Sequence, residues 1–229
     1  MTNEAGPNIV YNGLVLYLDP QNIRSYTSGT TFTDLSGTTN TGTLQNSPTF
    51  NTTNFSFNGT NQQITTTNFF VNPQAYTTCV WFKTTSTAGR VLLSFESAQT
   101  GVSDTGWGRR IWIGTDSSLY AGIYTGIVSF GKTAYSVTDN VWRYASAHYN
   151  GTNLSLYVNG LLVVTYANIG VSENHNGWWR IGGYRSAFWP VSSDGYFTGD
   201  VGPVQIYNRS LTATEILQNF NAQRGRFGV

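Results

Sequence analysis

One cysteine, eleven acidic and twelve basic side chains are few for a chain of 229 residues, and each shortage closes off a class of protein. With Cys79 as the only thiol, no intramolecular disulfide can form. In the strand-like run 77–83 it reads as a small buried hydrophobe, not a reactive group. Charged residues make up 10% of the chain, against roughly 25% in ordinary soluble domains, so the coat must be built from Thr, Asn, Ser, Gly and Gln. The net charge is +1 and Arg109-Arg110 is the only adjacent basic pair, which leaves no basic stripe for nucleic acid or an anionic membrane. No window approaches the roughly 18 apolar residues of a membrane helix. The opening MTNEAGPNIV has neither the basic nor the apolar region of a secretory signal.

The same scarcity limits chemistry. Glycoside hydrolysis normally needs two carboxylates flanking the bond, roughly 5–10 Å apart. The only glutamates are Glu4, Glu96, Glu173 and Glu215, and none lies two or four residues from another acid in a strand. Cysteine and histidine spacings suited to zinc are absent, as is a nucleophile elbow. His148 alternates with Trp142, Tyr144 and Ser146 and reads as a hydrogen-bonded histidine on a sheet surface. His175 reads as a solvated loop residue. Calcium wants six to eight oxygens, for which Asp104, Asp116, Asp194 and Asp200 are the candidates, although aspartates in turns are commonly just turn formers.

What the chain does have is apolar and aromatic material, 39% and 15% of its residues, enough for a sizeable core. The stretch 141–166, VWRYASAHYNGTNLSLYVNGLLVVTY, shows how it is used. Three strand-like runs, 142–149, 154–158 and 161–166, are separated by Asn150-Gly151-Thr152-Asn153 and by Asn159-Gly160. Asn-Gly between β-rich runs predicts a type I′ hairpin, because that turn needs φ > 0 at both central residues. Alternation of Leu154, Leu156 and Val158 with Ser155 and Tyr157 predicts an antiparallel meander forming one layer of something larger.

The rest of the chain reads the same way. Runs at 13–19, 54–59, 63–67, 77–83, 91–96, 109–114, 119–124, 178–183 and 199–207 are strand-like. The run 77–83 is expected to pair with 91–96 across a turn at 86–89, and 109–114 with 119–124. Segment 24–54 is loop-dominated, with brief pairing at Thr43-Leu44. Pro203 removes a ladder donor and predicts an edge or a bulge. Two Gly/Ser-rich rim loops follow from the pattern: 101–108, with Asp104 and Trp107, and 184–196, with Phe188, Trp189, Asp194 and Tyr196. One helix is expected near the end, because Thr212-Ala213-Thr214-Glu215 is a capping box flanked by the staple pair Leu211 and Ile216. Many short strands and one terminal helix predict an all-β fold, a single domain of two antiparallel sheets, with residues 1–12 as an arm and 13–229 as the sandwich.

Several runs then line up in order: 14–19, Asp34-Leu35-Ser36-Gly37, Phe57-Asn58-Gly59-Thr60, 77–83, 141–162, Arg180-Ile181-Gly182-Gly183 and 199–220. Together they resemble the laminin-G-like branch of the concanavalin A-like lectin/glucanase superfamily, a jelly-roll sandwich. The nearest phrases are Leu156-Tyr157-Val158-Asn159-Gly160 and Ile206-Tyr207-Asn208-Arg209-Ser210-Leu211-Thr212. The opening 13–19 and the closing 218–228 are similar to structural proteins of tailed bacteriophages, cyanophage types in particular. Many relatives carry an acid after the Gly-x-Ile/Val step of the last strand, where this chain has Gly202-Pro203.

The resemblance implies a non-enzymatic virion component with a lectin-like fold: a capsid decoration, fibre or tail appendage assembled in the host cytoplasm. It implies other virion proteins and copies of itself as partners, with a host-surface glycan as ligand. The alternatives are a glycan-binding adhesion module of a bacterial surface protein and, third, a glycoside hydrolase. Sugar sites set an exposed ring against a pyranose face and read hydroxyls with Asn, Asp or Arg. The candidates are therefore Trp107, Arg109, Asp104, Trp189, Tyr196 and Asp194. Trp81, Trp112, Trp142 and Trp179 read as core. No cofactor is identified beyond the calcium candidates.

Overall fold

The computed structural model describes residues 7–101, 108–184, 189–193 and 195–229. Strands β1 (Leu14–Leu18), β2 (Thr31–Phe32), β3 (Gly42–Gln45), β4 (Thr49–Phe50), β5 (Phe55–Asn58) and β6 (Gln63–Thr66) occupy the first third. They are followed by β7 (Tyr76–Lys83), β8 (Val91–Glu96), β9 (Arg109–Ile113), β10 (Ser118–Tyr124), β11 (Val128–Ser136) and β12 (Arg143–Tyr149). The last are β13 (Leu154–Val158), β14 (Leu161–Tyr166), β15 (Trp178–Ile181), β16 (Gly183–Tyr184), β17 (Gly195–Tyr196) and β18 (Thr198–Tyr207), before helix α1 (Ala213–Gln223). The fold is all-β: two eight-stranded antiparallel sheets packed face to face as a jelly-roll sandwich, with one short terminal helix.

The first sheet runs β14-β13-β12-β7-β18-β5-β4, with β1 also on β18. Its meander forms as the alternation predicts. At the β13–β14 turn Asn159 and Gly160 both take positive φ, 51° and 78°, as a type I′ turn requires. Pro203 falls where the β18–β7 register shifts between Val201 and Val204, so the strand is central and the proline sits in a bulge.

The second sheet runs β11-β10-β9-β8-β15-β6-β3-β2. Here the expected pairing of 77–83 with 91–96 is corrected: β7 bonds to β12 and β18, while β8 bonds to β9 and β15 in the opposite sheet. The link between them crosses the sandwich. Strand β11 has no apolar period in the sequence, because its inward positions are Ser129, Gly131 and Thr133. Glycine is needed at 131, where a Cβ would stand 2.6 Å from Val164.

Between the sheets lies the main core, with Leu16, Phe57, Val80, Phe82, Leu93, Phe95, Ile111, Leu156, Trp179 and Ile206 among its members. Of the four tryptophans read as core, Trp179 alone lies there. Trp81 packs on the far side of the first sheet with Tyr144, Leu211, Ile216 and Phe220 of the α1 layer, and half-buried Trp142 joins them. Trp112 lies on the far side of the second sheet. The capping box forms as the sequence predicts, with the Glu215 amide donating to Thr212 Oγ1 and the Thr212 amide donating to Glu215. An ion pair with Arg209 holds the Glu215 carboxyl down to about 2. Cys79 is fully buried, and burial pushes its thiol up to about 11.

Candidate functional site

The outer face of the second sheet is unusual in what it buries. Register places Thr43 opposite Thr65, Thr65 opposite Arg180, Arg180 opposite Ser94, Ser94 opposite Arg110, and Arg110 opposite Gly122. Residues directly opposite across paired strands share a face, so these form one polar row running across six strands. Glu96 and Trp178, a second opposed pair, flank it.

Arg110 and Glu96 form an ion pair, Nη2 to Oε1 at 2.9 Å and to Oε2 at 3.2 Å, with both side chains fully out of solvent. Arg180 donates through Nε and Nη2 to Gln63 Oε1 at 3.2 and 2.8 Å, and through Nη1 to the carbonyl of Gly101 at 2.8 Å. Ser94 Oγ is buried and has no partner among the described residues. At one end stand the indoles. Trp112 stacks on Tyr120 at 4.8 Å and meets Trp189 edge-on at 5.3 Å, and the Arg110 guanidinium lies 5.1 Å from the Trp189 ring. Gly122 makes room for them: a Cβ there would stand 2.5 Å from Trp189 and 2.8 Å from Trp112. On β15, two residues along the strand from Arg180, the half-buried Trp178 meets the exposed Phe69 edge-on at 5.2 Å.

Ionisation follows from these contacts. Burial pushes the Asp116 carboxyl up, but hydrogen bonds from Lys132, Tyr120 and the Ser118 amide outweigh it and hold it at about 2. Thus Glu96 is ion-paired with Arg110 and Asp116 with Lys132. Among the described residues no group of three or more His, Cys, Asp or Glu side chains is placed to hold a metal. Of the calcium candidates, Asp116 and Asp200 sit in ion pairs with Lys132 and Lys83, while Asp104 and Asp194 lie outside the described residues.

The residues expected to bind ligand are placed unevenly. Trp107, Asp104 and Asp194 lie outside the described residues, as does Phe188. Trp189 is 3% exposed and wedged against Trp112, so the described ring is packing and not an open platform. Arg109 does not belong to the row. Next to Arg110 on β9 it points the opposite way, into the end of the sandwich. There it donates to the carbonyls of Pro73 at 2.9 Å and Glu173 at 3.2 Å. Tyr196 is half-buried in the small β16–β17 ribbon opposite Gly183. Of the described residues flanking these loops, Gly101 accepts from Arg180 and the Trp189 ring meets Arg110, both on one face of the second sheet.

His175 is not a solvated loop residue. It packs on Phe95 at 5.0 Å, its side chain is 9% exposed, and burial together with the nearby Arg109 lowers its pKa to about 4. His148 does stand on a sheet surface, hydrogen-bonded to Ser210 Oγ at 2.6 Å. Reading by residue type missed Arg110, Ser94, Arg180 and the Trp178–Phe69 pair. The period of two held the signal, because it sets Arg110 beside Trp112 and Arg180 beside Trp178 on one face.

A family model described as the concanavalin A-like lectin/glucanases superfamily matches residues 58–217. No curated protein matches the sequence. Among solved structures, the receptor binding domain of botulinum neurotoxin C/D mosaic serotype is similar, with a TM-score of 0.69 at 13% identity. The match covers 93% of this chain and 52% of that one. The binding domain of Paraclostridial Mosquitocidal Protein 1 is similar at a TM-score of 0.62 and 15% identity, over 92% and 52%. Trypanosoma rangeli sialidase is similar at 0.67 and 15%, over 93% and 33%. The chain thus spans about half the length of the toxin domains and a third of the sialidase, and at these identities the likeness is one of fold. Among the described residues no helix is long and apolar enough to cross a membrane.

Proposed function

We infer function from one premise: this chain belongs to the concanavalin A-like lectin/glucanases superfamily. On that frame we propose a non-enzymatic carbohydrate-recognition module whose ligand face is the outer surface of the second sheet. One observation carries the reading: a row of Thr, Ser and Arg side chains crosses this face, and beside it the half-buried Trp178 and the exposed Phe69 form its accessible ring pair. Rings that stack on a pyranose beside fixed donors and acceptors are what sugar recognition needs. Burying an ion pair where apolar packing would serve is at best neutral for stability, which favours a functional reason for Glu96 and Arg110. The toxin domains are by their names receptor-binding or binding domains, which supports recognition over chemistry.

Against hydrolysis stands the state of the carboxylates. Glu96 is engaged by Arg110 and Asp116 by Lys132, which supports recognition over acid–base chemistry. A glycan array probed with the full chain should show selective binding, and assays with β-glucan and sialoside substrates should show no turnover. An empty array, or turnover abolished by Glu96→Gln, would reverse the reading.

The carrier we propose is a virion appendage of a tailed bacteriophage, present in multiple copies. Low charge and the likeness of 13–19 and 218–228 to phage structural proteins support it. Mass spectrometry of purified virions should contain the chain; its absence there would leave the adhesion-module alternative.

A further inference from the structure

An edge strand leaves a row of N–H and C=O groups unpaired, and proteins blunt such edges with short strands, charges or covering loops. Most edges of this sandwich are treated in one of these ways. Strands β2 and β4 are two residues long. The free side of β1 is covered by the 34–40 segment: the Tyr17 amide donates to Asp34 Oδ1 at 2.8 Å, and Thr38 Oγ1 and Asn40 Nδ2 each donate to the Val15 carbonyl at 2.7 Å. Strand β11 carries Lys132. Strand β14 has none of these devices. Six residues long, it ends the first sheet with β13 as its one ladder neighbour, and its sequence LLVVTY holds no charge and no proline. Leu161, Leu162 and Tyr166 are all exposed, Leu161 by 67%.

The one irregularity of β14 suits a pairing strand. Its register on β13 shifts between Leu156 and Tyr157, which places a bulge at Val163. Leu161, Val164 and Tyr166 stand opposite Val158, Leu156 and Leu154, on the side of the main core. Leu162 and Thr165 stand opposite Tyr157 and Ser155, on the outer side. In an unbroken strand residues 161 and 166 would point to opposite faces, and the bulge brings them to the same one. A reversed copy of β14 can therefore set Leu161 of one strand opposite Tyr166 of the other, and Leu162 opposite Thr165, at both ends of the pair. Inner residues then meet inner residues, and outer meet outer.

We propose that β14 is the surface by which two copies of this chain associate, their first sheets joined antiparallel across a two-fold axis. A two-fold contact brings a patch against itself, so the patch must be its own complement. An antiparallel backbone edge meets that condition, because the same row of donors and acceptors faces itself reversed. Charge meets it too. No charged residue occurs from Tyr149 to Ser172, so nothing along β13, β14 or their turns repels its own image. Six residues a side make a small interface, for which a dissociation constant of about 10–100 μM is expected. The inference is independent of the glycan reading, since β14 belongs to the first sheet and the recognition face to the second. It supplies a surface for the multiple copies proposed above, and its test uses the purified chain instead of virions.

Sedimentation velocity of the full chain, from about 1 μM to about 1 mM, should show a reversible monomer–dimer equilibrium. Hydrogen exchange at the amides of β14 should slow at the high end of that range, while those of β9 and β15 keep their rates. Leu162→Lys, at an exposed edge position, should weaken the dimer tenfold or more with dichroism and melting temperature unchanged. Ile127→Lys, exposed and outside β14, should leave it as it is. Cross-linking reads the register. Leu162→Cys mixed with Thr165→Cys should form a disulfide on mild oxidation, because opposed Cα atoms stand about 5 Å apart. Neither variant should cross-link alone, since identical positions lie roughly 10 Å apart across the two-fold. Cys79 is fully buried and takes no part. A chain that stays monomeric throughout, a dimer untouched by Leu162→Lys, or cross-linking as strong in either single variant as in the mixture would overturn the proposal.

Discussion

The two outer faces of this sandwich are covered in different ways. Over the first sheet, Cys79, Trp81, Tyr144 and Tyr207 are roofed by α1 through Ile216 and Phe220, with Phe227 stacked on Trp81 at 4.2 Å. Several polar atoms there find partners, with Trp81 Nε1 donating to Gln223 Oε1 at 2.7 Å and the Tyr207 hydroxyl to the Val10 carbonyl at 2.9 Å, while Gln205 Nε2 and His148 Nδ1 are buried without one. The outer face of the second sheet holds instead a buried ion pair, a second buried arginine and an unpartnered serine. One face is built as a second core. The other buries full charges that packing alone does not require, which is why we propose it as the recognition face.

The contrast can be broken from either side. The largest loss is expected from Trp81→Ala, about 3–5 kcal/mol of unfolding free energy, read from denaturant melts. It should leave glycan binding intact in whatever fraction stays folded. Glu96→Leu should cost about 3 kcal/mol because it removes the carboxylate that pairs with the buried Arg110, whereas Glu96→Leu with Arg110→Met should recover most of that loss. A double variant as unstable as the single one would show that the ion pair is itself a stability element. Gly122→Ala should cost about 1–3 kcal/mol by overpacking against Trp189 and Trp112, with a change in tryptophan emission that marks the second face.

A pH-dependent effect is expected in acid. The folded pKa of His175, about 4, lies below its ordinary 6.5, so the unfolded chain binds the extra proton first. Its contribution is complete above about pH 6.5, is lost as the pH falls towards 4, and levels off below. Glu173, whose carboxyl is raised chiefly by burial, works in the opposite sense near its own titration. His175→Gln should flatten the decline measured between pH 6.5 and 4, and an unchanged slope would contradict the assignment.

Local signals in this chain were legible and long-range ones were not. Asn159-Gly160, the capping box at Thr212 and the break at Pro203 each act within a few residues, and each appears as the pattern predicts. The partner of β8 was misjudged because short turns favour hairpins, while here the chain crosses between sheets at that point. Strand β11 escaped notice since closeness to β14 demands glycine and small polar residues where an apolar period would otherwise show. Trp189 looked like an open ring from its Gly/Ser-rich surroundings, yet its burial comes from Trp112 and Gly122, far away in sequence. The row of Arg110, Ser94 and Arg180 needs three strand registers to be seen at all, and residue type gives none of them.

The most direct measurement is a titration of the strongest array glycan into wild-type protein and into Trp178→Ala, with dichroism confirming that both are folded. If the outer face of the second sheet is the recognition surface, the variant should bind at least tenfold more weakly at unchanged stability. Equal affinity in the two proteins would move the ligand site elsewhere.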